Sequence, residues 1–210
     1  MKWSDKLLSS SVPLEYETGK ILAGKKFAID FDYSYQRLDG KEEKEFSVDI
    51  IARSYYPFDF DSIEIEIDLL IECKYRNPNV SWLFIKDINI DDFQSFSSKG
   101  VLKVVDEFSE MFSKNSFNDF SPIPTCLKGI EINSQTGEVH DSGITHGKNQ
   151  LIYALPHLLH RVINSSLYDT QHLNDVHPYI LCPILLTTAE LRVLKDDFSI
   201  EKVKKGQLIG

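Results

Sequence analysis

Between Ile63 and Tyr75 the chain reads IEIEIDLLIECKY, a nearly strict alternation of apolar and polar side chains. A period of two is typical of a β-strand with one dry face. Leu70 interrupts the polar positions just before Glu72, which predicts that the polar face becomes covered at that point. Glu72 and Lys74 then point the same way, two residues apart, and we expect them at a partly buried site.

A helix is predicted upstream of this strand. Three serines at residues 9–11 are followed by Pro13 and Glu15. A capping hydroxyl, a proline in the first turn and an acid near the positive end of the helix dipole are typical of a helix start. We expect this helix to run to about Gly24.

A β-hairpin is predicted between that helix and the strand. Residues 27–36 and 46–55 alternate apolar and polar side chains, and an Asp-Gly step at 39–40 lies between them. This dipeptide favours a tight hairpin turn. In the second strand we expect Phe46, Val48 and Ile50 on one face.

The later part of the chain mixes helical and strand patterns. We predict helices over 101–114 and 148–167, a hairpin over 128–139, and strands over 179–186 and 190–195. This order favours an α/β (α+β) fold with a mixed central β-sheet flanked by helices, in a single domain over residues 1–210.

Composition narrows the class of protein. The 210 residues carry 32 acidic and 23 basic side chains, a net charge of −9, which argues against coating nucleic acid by bulk charge. No apolar run approaches the ~20 residues of a membrane span, and the first residues do not read as a signal peptide. Three widely spaced cysteines favour reduced thiols. We therefore expect a cytoplasmic protein with no membrane partner.

Two acids and a lysine on neighbouring predicted strands have a chemical use. Asp49 lies between apolar neighbours, where a carboxylate is costly unless it is paired or holds a cation. Glu72 and Lys74 follow on the next strand. Carboxylate oxygens suit a hard divalent cation such as Mg²⁺, and a nearby lysine can orient a water or stabilise developing charge.

Here the chain resembles the PD-(D/E)xK nuclease superfamily, with its restriction-endonuclease-like core, and its Mrr-like members in particular. Asp49 matches the first acid, Glu72-Cys73-Lys74 match the ExK triplet, and the helix with Glu15 is similar to the one that places a glutamate at the metal. Residues 182–191 look like the following core strand. The resemblance places core motifs in 13–90 and the remaining core strands and helices in 100–205.

The resemblance implies a metal-dependent endonuclease that hydrolyses phosphodiester bonds of DNA, with RNA not excluded. It implies Mg²⁺, with Mn²⁺ as a substitute, held by Asp49, Glu72, Glu15 and the backbone carbonyl of Cys73. A metal-activated water would attack phosphorus in line, and Lys74 would position it. It further implies a setting in bacterial restriction or phage defence, with a homodimer or a partner subunit that supplies recognition.

Several residue assignments stay open at this point. Asp68 rivals Asp49 as the first acid, although it lies ~13 Å from Glu72 along the same strand. Glu17 is the alternative to Glu15. Gln150 and Tyr153 resemble the Gln…Tyr helix of exonuclease-like members, but the spacing is one residue short, which favours a helix with a polar flank.

A basic and aromatic group downstream of the triplet is a candidate nucleic-acid contact. Arg76, Tyr75 and Lys86 are expected to meet the phosphate backbone, with Trp82 in the same group. Two rival functions also remain. One is a binding or adaptor module that keeps the nuclease fold without its chemistry, and the other is an acidic DNA mimic.

Overall fold

The computed structural model describes residues 3–57, 64–86, 126–169, 179–194 and 198–205. The chain divides into two compact units, Met1–Val80 with Asp141–Ala189, and Ser81–His140 with Glu190–Gly210. The mixed α+β class predicted from the sequence is confirmed. The prediction of a single domain stays a prediction, and the helix predicted over 101–114 lies outside the described residues.

The described residues of the first unit form three helices and a four-stranded sheet. Its elements are α1 (Trp3–Leu8), α2 (Val12–Gly24), β1 (Ala28–Asp39), β2 (Glu42–Pro57), β3 (Glu64–Lys74), a second long helix, α3 (Ser142–Asp169), and the strand that follows it, β7 (Tyr179–Thr187). The sheet order is β1-β2-β3-β7, with β1–β2 and β2–β3 antiparallel and β3–β7 parallel. This confirms the predicted mixed sheet and places β3 at its centre.

The second unit contains another four-stranded sheet. Its elements are β4 (Val80–Lys86), β5 (Cys126–Asn133), β6 (Val139–His140), β8 (Glu190–Val193) and α4 (Ile200–Lys204). The sheet order is β6-β5-β4-β8, with β5–β6 antiparallel and β4–β8 parallel. The hairpin predicted over 128–139 and the strand predicted over 190–195 are both present.

Two apolar clusters lie on opposite faces of the first sheet. On one face, Leu151, Ala154 and Leu158 of α3 pack with residues of β2 and β3 such as Val48 and Leu70. On the other, Leu14 and Leu22 of α2 pack against Ile50, Ile71 and Cys73. Because both faces are covered, polar residues of β3 that point toward α3 are removed from water.

The two strands of the hairpin exchange faces halfway along. The prediction that Phe46, Val48 and Ile50 share a face is wrong, because Val48 packs on the α3 side and Ile50 on the α2 side. The β1–β2 pairing omits Asp32 and Asp49, which would lie opposite each other, and Asp32 has a φ of 56°. Aspartate tolerates this left-handed conformation better than most residues. Since both strands are distorted at the same point, the register is unchanged beyond it.

The start of α2 also differs from expectation. Ser11 is the residue before the helix and a proline lies in the first turn, but the Ser11 side chain makes no capping hydrogen bond. Its hydroxyl donates instead to the backbone carbonyl of Cys73 at 2.9 Å. The helix start therefore contacts the end of β3. Among the described helices, none is long and apolar enough to cross a membrane.

Candidate functional site

Glu72 and Lys74 lie at the end of the central strand β3, on the face covered by α3. Glu72 is 0% exposed, and its Oε1 forms an ion pair with Lys74 Nζ. Lys74 Nζ also donates to Gln150 Oε1 of α3 at 3.1 Å, and Gln150 Nε2 donates to the backbone carbonyl of Ser47 at 3.3 Å. Three elements, β3, α3 and β2, thus fix the lysine.

The Glu72 carboxylate is only half satisfied. Burial raises its pKa to about 7, and the charge of Asp49 acts in the same direction. Hydrogen bonds from Lys74 and from the backbone N–H of Asp49 favour the charged form. Its second oxygen, Oε2, is buried and has no hydrogen-bond partner among the described residues. An unpaired buried carboxylate oxygen is costly, so this atom indicates a site that a cation would complete.

Asp49 lies at the point where β2 changes faces. The antiparallel register pairs Ile50 with Ile71, and continuing it by one residue places Asp49 beside Glu72. Its Oδ2 accepts a hydrogen bond of 2.6 Å from the backbone N–H of Cys73. Burial raises the Asp49 pKa, and this N–H bond opposes the shift. The distortion thus lets a carboxylate bind an N–H of the neighbouring strand.

Cys73 contributes its backbone and not its thiol. The side chain is buried in the cluster under α2, and burial raises the pKa of the thiol to about 12. Such a thiol stays protonated and unreactive. Its carbonyl, which the resemblance assigns to the metal, accepts from Ser11 and keeps a second lone pair.

Glu15 reaches the same neighbourhood from α2. Its pKa is raised by partial burial first, then by the charges of Asp49 and Asp32, while Lys74 lowers it. The carboxylate of Glu15 is therefore within electrostatic range of Asp49, Asp32 and Lys74. Glu17, the alternative, is exposed.

Asp68, the rival first acid, is engaged elsewhere. It is 0% exposed and accepts two hydrogen bonds of 2.8 Å from the Arg53 guanidinium and one of 2.8 Å from the Tyr179 hydroxyl. Arg53 also pairs with Glu66 at 2.7 Å. These contacts tie β2, β3 and β7 together, which gives Asp68 a structural role.

The carboxylates do not form a ready three-ligand cluster. In the ranges that the structure describes, no three His, Cys, Asp or Glu side chains lie close enough together to hold a metal ion. Mg²⁺ commonly keeps several waters and takes only one or two protein carboxylates. The donor set of hard oxygens, with one of them unpaired and buried, therefore fits such an ion.

The predicted nucleic-acid contacts belong to two different units of the chain. Arg76 and Tyr75 follow β3, and the Arg76 guanidinium donates to the Tyr75 carbonyl at 2.8 Å. Lys86 ends β4 and belongs to the second unit. Trp82, counted in the same group, is 1% exposed and donates to Glu131 at 2.9 Å, so its role as a surface contact is wrong.

Two site residues on α3 were missed or undervalued in the sequence. Gln150 is not a plain polar flank, because its amide bridges Lys74 and Ser47. Gly147 lies so close to β3 and β7 that an added Cβ would be 3.2 Å from Lys74 Cε and 2.5 Å from Leu185 Cδ1. The resemblance of Gln150 to a helix glutamine was the available signal, and nothing in the sequence marked Gly147.

A cleft of about 500 Å³ is lined by Ser34, Tyr35, Gln36, Glu43, Glu45 and His157. The Tyr35 hydroxyl donates to the backbone carbonyl of Gln150 at 3.3 Å. The cleft contains none of the predicted site residues. No protein-family model, no curated protein and no solved structure matches this chain.

Proposed function

We propose that this chain is a metal-dependent endonuclease of the PD-(D/E)xK superfamily that hydrolyses phosphodiester bonds of DNA. The observation that carries the proposal is the fully buried Glu72 carboxylate. One oxygen pairs with Lys74, and the other has no hydrogen-bond partner in the described part of the chain. The arrangement of the first unit also supports it. A helix with Glu15 precedes two adjacent strands with Asp49 and Glu72, and a later strand extends the same sheet.

Mg²⁺, or Mn²⁺ in its place, would be held by Glu72 Oε2 and Asp49, with the Cys73 carbonyl and Glu15 as further oxygen donors. When bound, such a cation neutralises phosphate charge and lowers the pKa of a coordinated water. It would also offset the negative charges of Asp49 and Glu72, which raise each other's cost of ionisation. Burial is the largest cause of the raised pKa of each acid, so its charged form is costly and would be favoured by a bound cation.

Lys74 would act on the attacking water or on the phosphate. An ammonium group has three protons, and here two are directed to Glu72 and Gln150. The third is left to donate to a water or to a non-bridging phosphate oxygen, where it stabilises developing negative charge. Because Glu72 and Gln150 hold Nζ from two sides, little reorganisation is needed on reaction.

The setting is proposed on chemical grounds. The net charge of −9 disfavours strong nucleic-acid binding by this chain alone, which supports a homodimer or a partner subunit that brings the DNA. None of the three cysteines is in a disulfide, which is in keeping with a cytoplasmic location. Bacterial restriction or phage defence is the setting in which we would look for it.

A plasmid cleavage assay tests the proposal. Supercoiled DNA is incubated with the protein and Mg²⁺ or Mn²⁺, with and without EDTA, beside Asp49→Ala and Lys74→Ala. Asp30→Ala and Lys20→Ala are matched controls, since both remove an exposed charge from the same unit. We expect metal-dependent nicking that falls by a factor of ~100 or more in the first pair and is kept in the second.

Cleavage that survives both Asp49→Ala and Lys74→Ala would remove this site from the reaction. No cleavage of DNA or RNA by the wild-type chain, together with no bound metal, would favour the adaptor module instead.

A further inference from the structure

Arg37 of β1 lies between two aromatic rings. Its guanidinium carbon is 3.9 Å from the centre of the Phe46 ring and 4.0 Å from that of the Tyr153 ring. Phe46 belongs to β2 and Tyr153 to α3. A planar cation between two ring faces is fixed in orientation, and only its edge is left for hydrogen bonds.

No described carboxylate forms an ion pair with Arg37. The Arg37 Nε is buried and has no hydrogen-bond partner among the described residues. The residue directly opposite on β2 is Lys44, a second base on the same face of the hairpin. A cation held in this way gains from an anion that presents several acceptor oxygens.

Arg37 also lies on the same face of the sheet as the candidate site. Tyr153 follows Gln150 by three residues on α3, and Phe46 precedes Ser47, whose carbonyl accepts from Gln150. By strand register, Arg37 and Lys74 lie two strands apart across the sheet and three residues apart along it. At ~4.8 Å per strand and ~3.3 Å per residue, these two perpendicular offsets give a distance of ~14 Å. A nucleic-acid strand that reaches Lys74 can therefore reach Arg37 with a neighbouring phosphate.

We infer that Arg37 binds a phosphodiester group of the nucleic-acid strand, beside the group that is hydrolysed. The Phe46 and Tyr153 rings hold the guanidinium fork in place, and the fork donates to non-bridging phosphate oxygens. This inference rests on the proposed function. It adds a contact that positions the strand without taking part in bond cleavage.

Binding in EDTA tests the inference separately from hydrolysis. Fluorescence anisotropy of a labelled DNA duplex is measured across a salt series for the wild-type chain and Arg37→Gln. Lys20→Gln is the matched control, since Lys20 lies over the Tyr16 ring of α2, the helix on the opposite face of the sheet. We expect Arg37→Gln to bind about tenfold more weakly at low salt, with a log–log salt slope smaller by about 1. Lys20→Gln should match the wild type.

Equal affinity and slope in Arg37→Gln and the wild type would overturn the inference, and so would equal losses in Arg37→Gln and Lys20→Gln. The NMR signal of the buried Arg37 Nε–H in the wild-type chain provides a test that needs no variant. We expect it to shift with duplex. A shift with inorganic phosphate as well indicates that a free anion is also taken, whereas no shift with duplex rejects the contact.

The two proposals fail in different ways. A chain that binds duplex through Arg37 in EDTA but never cleaves it keeps this inference and loses the proposed reaction. A chain that cleaves DNA with full dependence on Lys74, but binds it equally well without Arg37, loses this inference alone.

Discussion

At the scale of single residues, burial affects the pKa of Glu72 more than its ion pair with Lys74 does. Lys74 contacts Glu72 directly, and an ion pair normally lowers the pKa of a carboxyl group. Here burial wins and the pKa rises to about 7. A surface salt bridge would show neither this shift nor a buried, unpaired oxygen. This combination of burial and a raised pKa supports the proposal that Glu72 belongs to a cation site.

This shift predicts how stability depends on pH without metal. The ordinary pKa of Glu72 is 4.5 and the folded value is about 7, so the folded state binds more protons in that window. The free energy of unfolding should thus fall as pH rises from 4.5 to 7, by about 2–3 kcal/mol at ~1.4 kcal/mol per pKa unit. Urea unfolding in EDTA at pH 5 and pH 8 measures it. Glu72→Gln should show a flatter profile, and an unchanged profile would contradict the assignment.

Asp68 and Asp49 are expected to differ in what they support. Asp68→Asn removes the carboxylate that Arg53 and Tyr179 contact and leaves a partly buried arginine without its main partner. We expect a loss of ~3 kcal/mol in the free energy of unfolding, because breaking a buried pair strands the other charge. Metal binding should be kept. A loss of metal binding in folded Asp68→Asn would restore Asp68 as the first acid.

At the scale of elements, period-two patterns predicted the first three strands of the first sheet, and an apolar run predicted the fourth. They did not predict the change of face at Asp32 and Asp49, because alternation in sequence assumes a regular strand. The facing distortions at Asp32 and Asp49 leave the apolar pattern of the sequence intact, but they reverse which face of the sheet each later residue points to. Ser11 was misassigned for a similar reason, since its type favours a helix cap but its tertiary partner is Cys73.

Gly147→Ala tests how closely α3 must approach β3. An added Cβ would meet Leu185 and Lys74, and both are side chains that can shift. Alanine also favours a helix by ~1 kcal/mol over glycine, which offsets part of the crowding. We expect a stability within ~1 kcal/mol of wild type but a cleavage rate at least tenfold lower, because Lys74 is displaced. Thermal unfolding and the plasmid assay compare the two, and an unchanged rate would contradict the contact.

At the scale of the whole molecule, residues far apart in the chain make up the candidate site, all within one unit. Lys74 and Gln150 are 76 residues apart, and the segment between them includes strands of the other unit. The sequence could mark Glu72 and Lys74, because they share a strand. The sequence did not predict that Gln150 and Gly147 lie against Lys74, because their placement follows from how α3 packs on the sheet.

The net charge of −9 affects how strongly the chain should bind nucleic acid. With about two phosphate contacts, from Lys74 and Arg37, we expect duplex affinity to fall about tenfold between ~50 and ~200 mM salt. Repulsion by the excess acids should keep binding weak even at low salt. Anisotropy in EDTA measures the slope. Affinity that does not change with salt would show that contacts other than phosphates hold the DNA.

The central claim is that Glu72 and Asp49 bind a divalent cation. Calorimetric titration of Mn²⁺ at pH 8 into wild type, Asp49→Asn, Glu72→Gln and Asp68→Asn tests it most directly. We predict one bound ion in the wild type and in Asp68→Asn, with affinity at least tenfold lower in the other two variants. No binding by the wild type, or equal binding by all four folded chains, would contradict the claim.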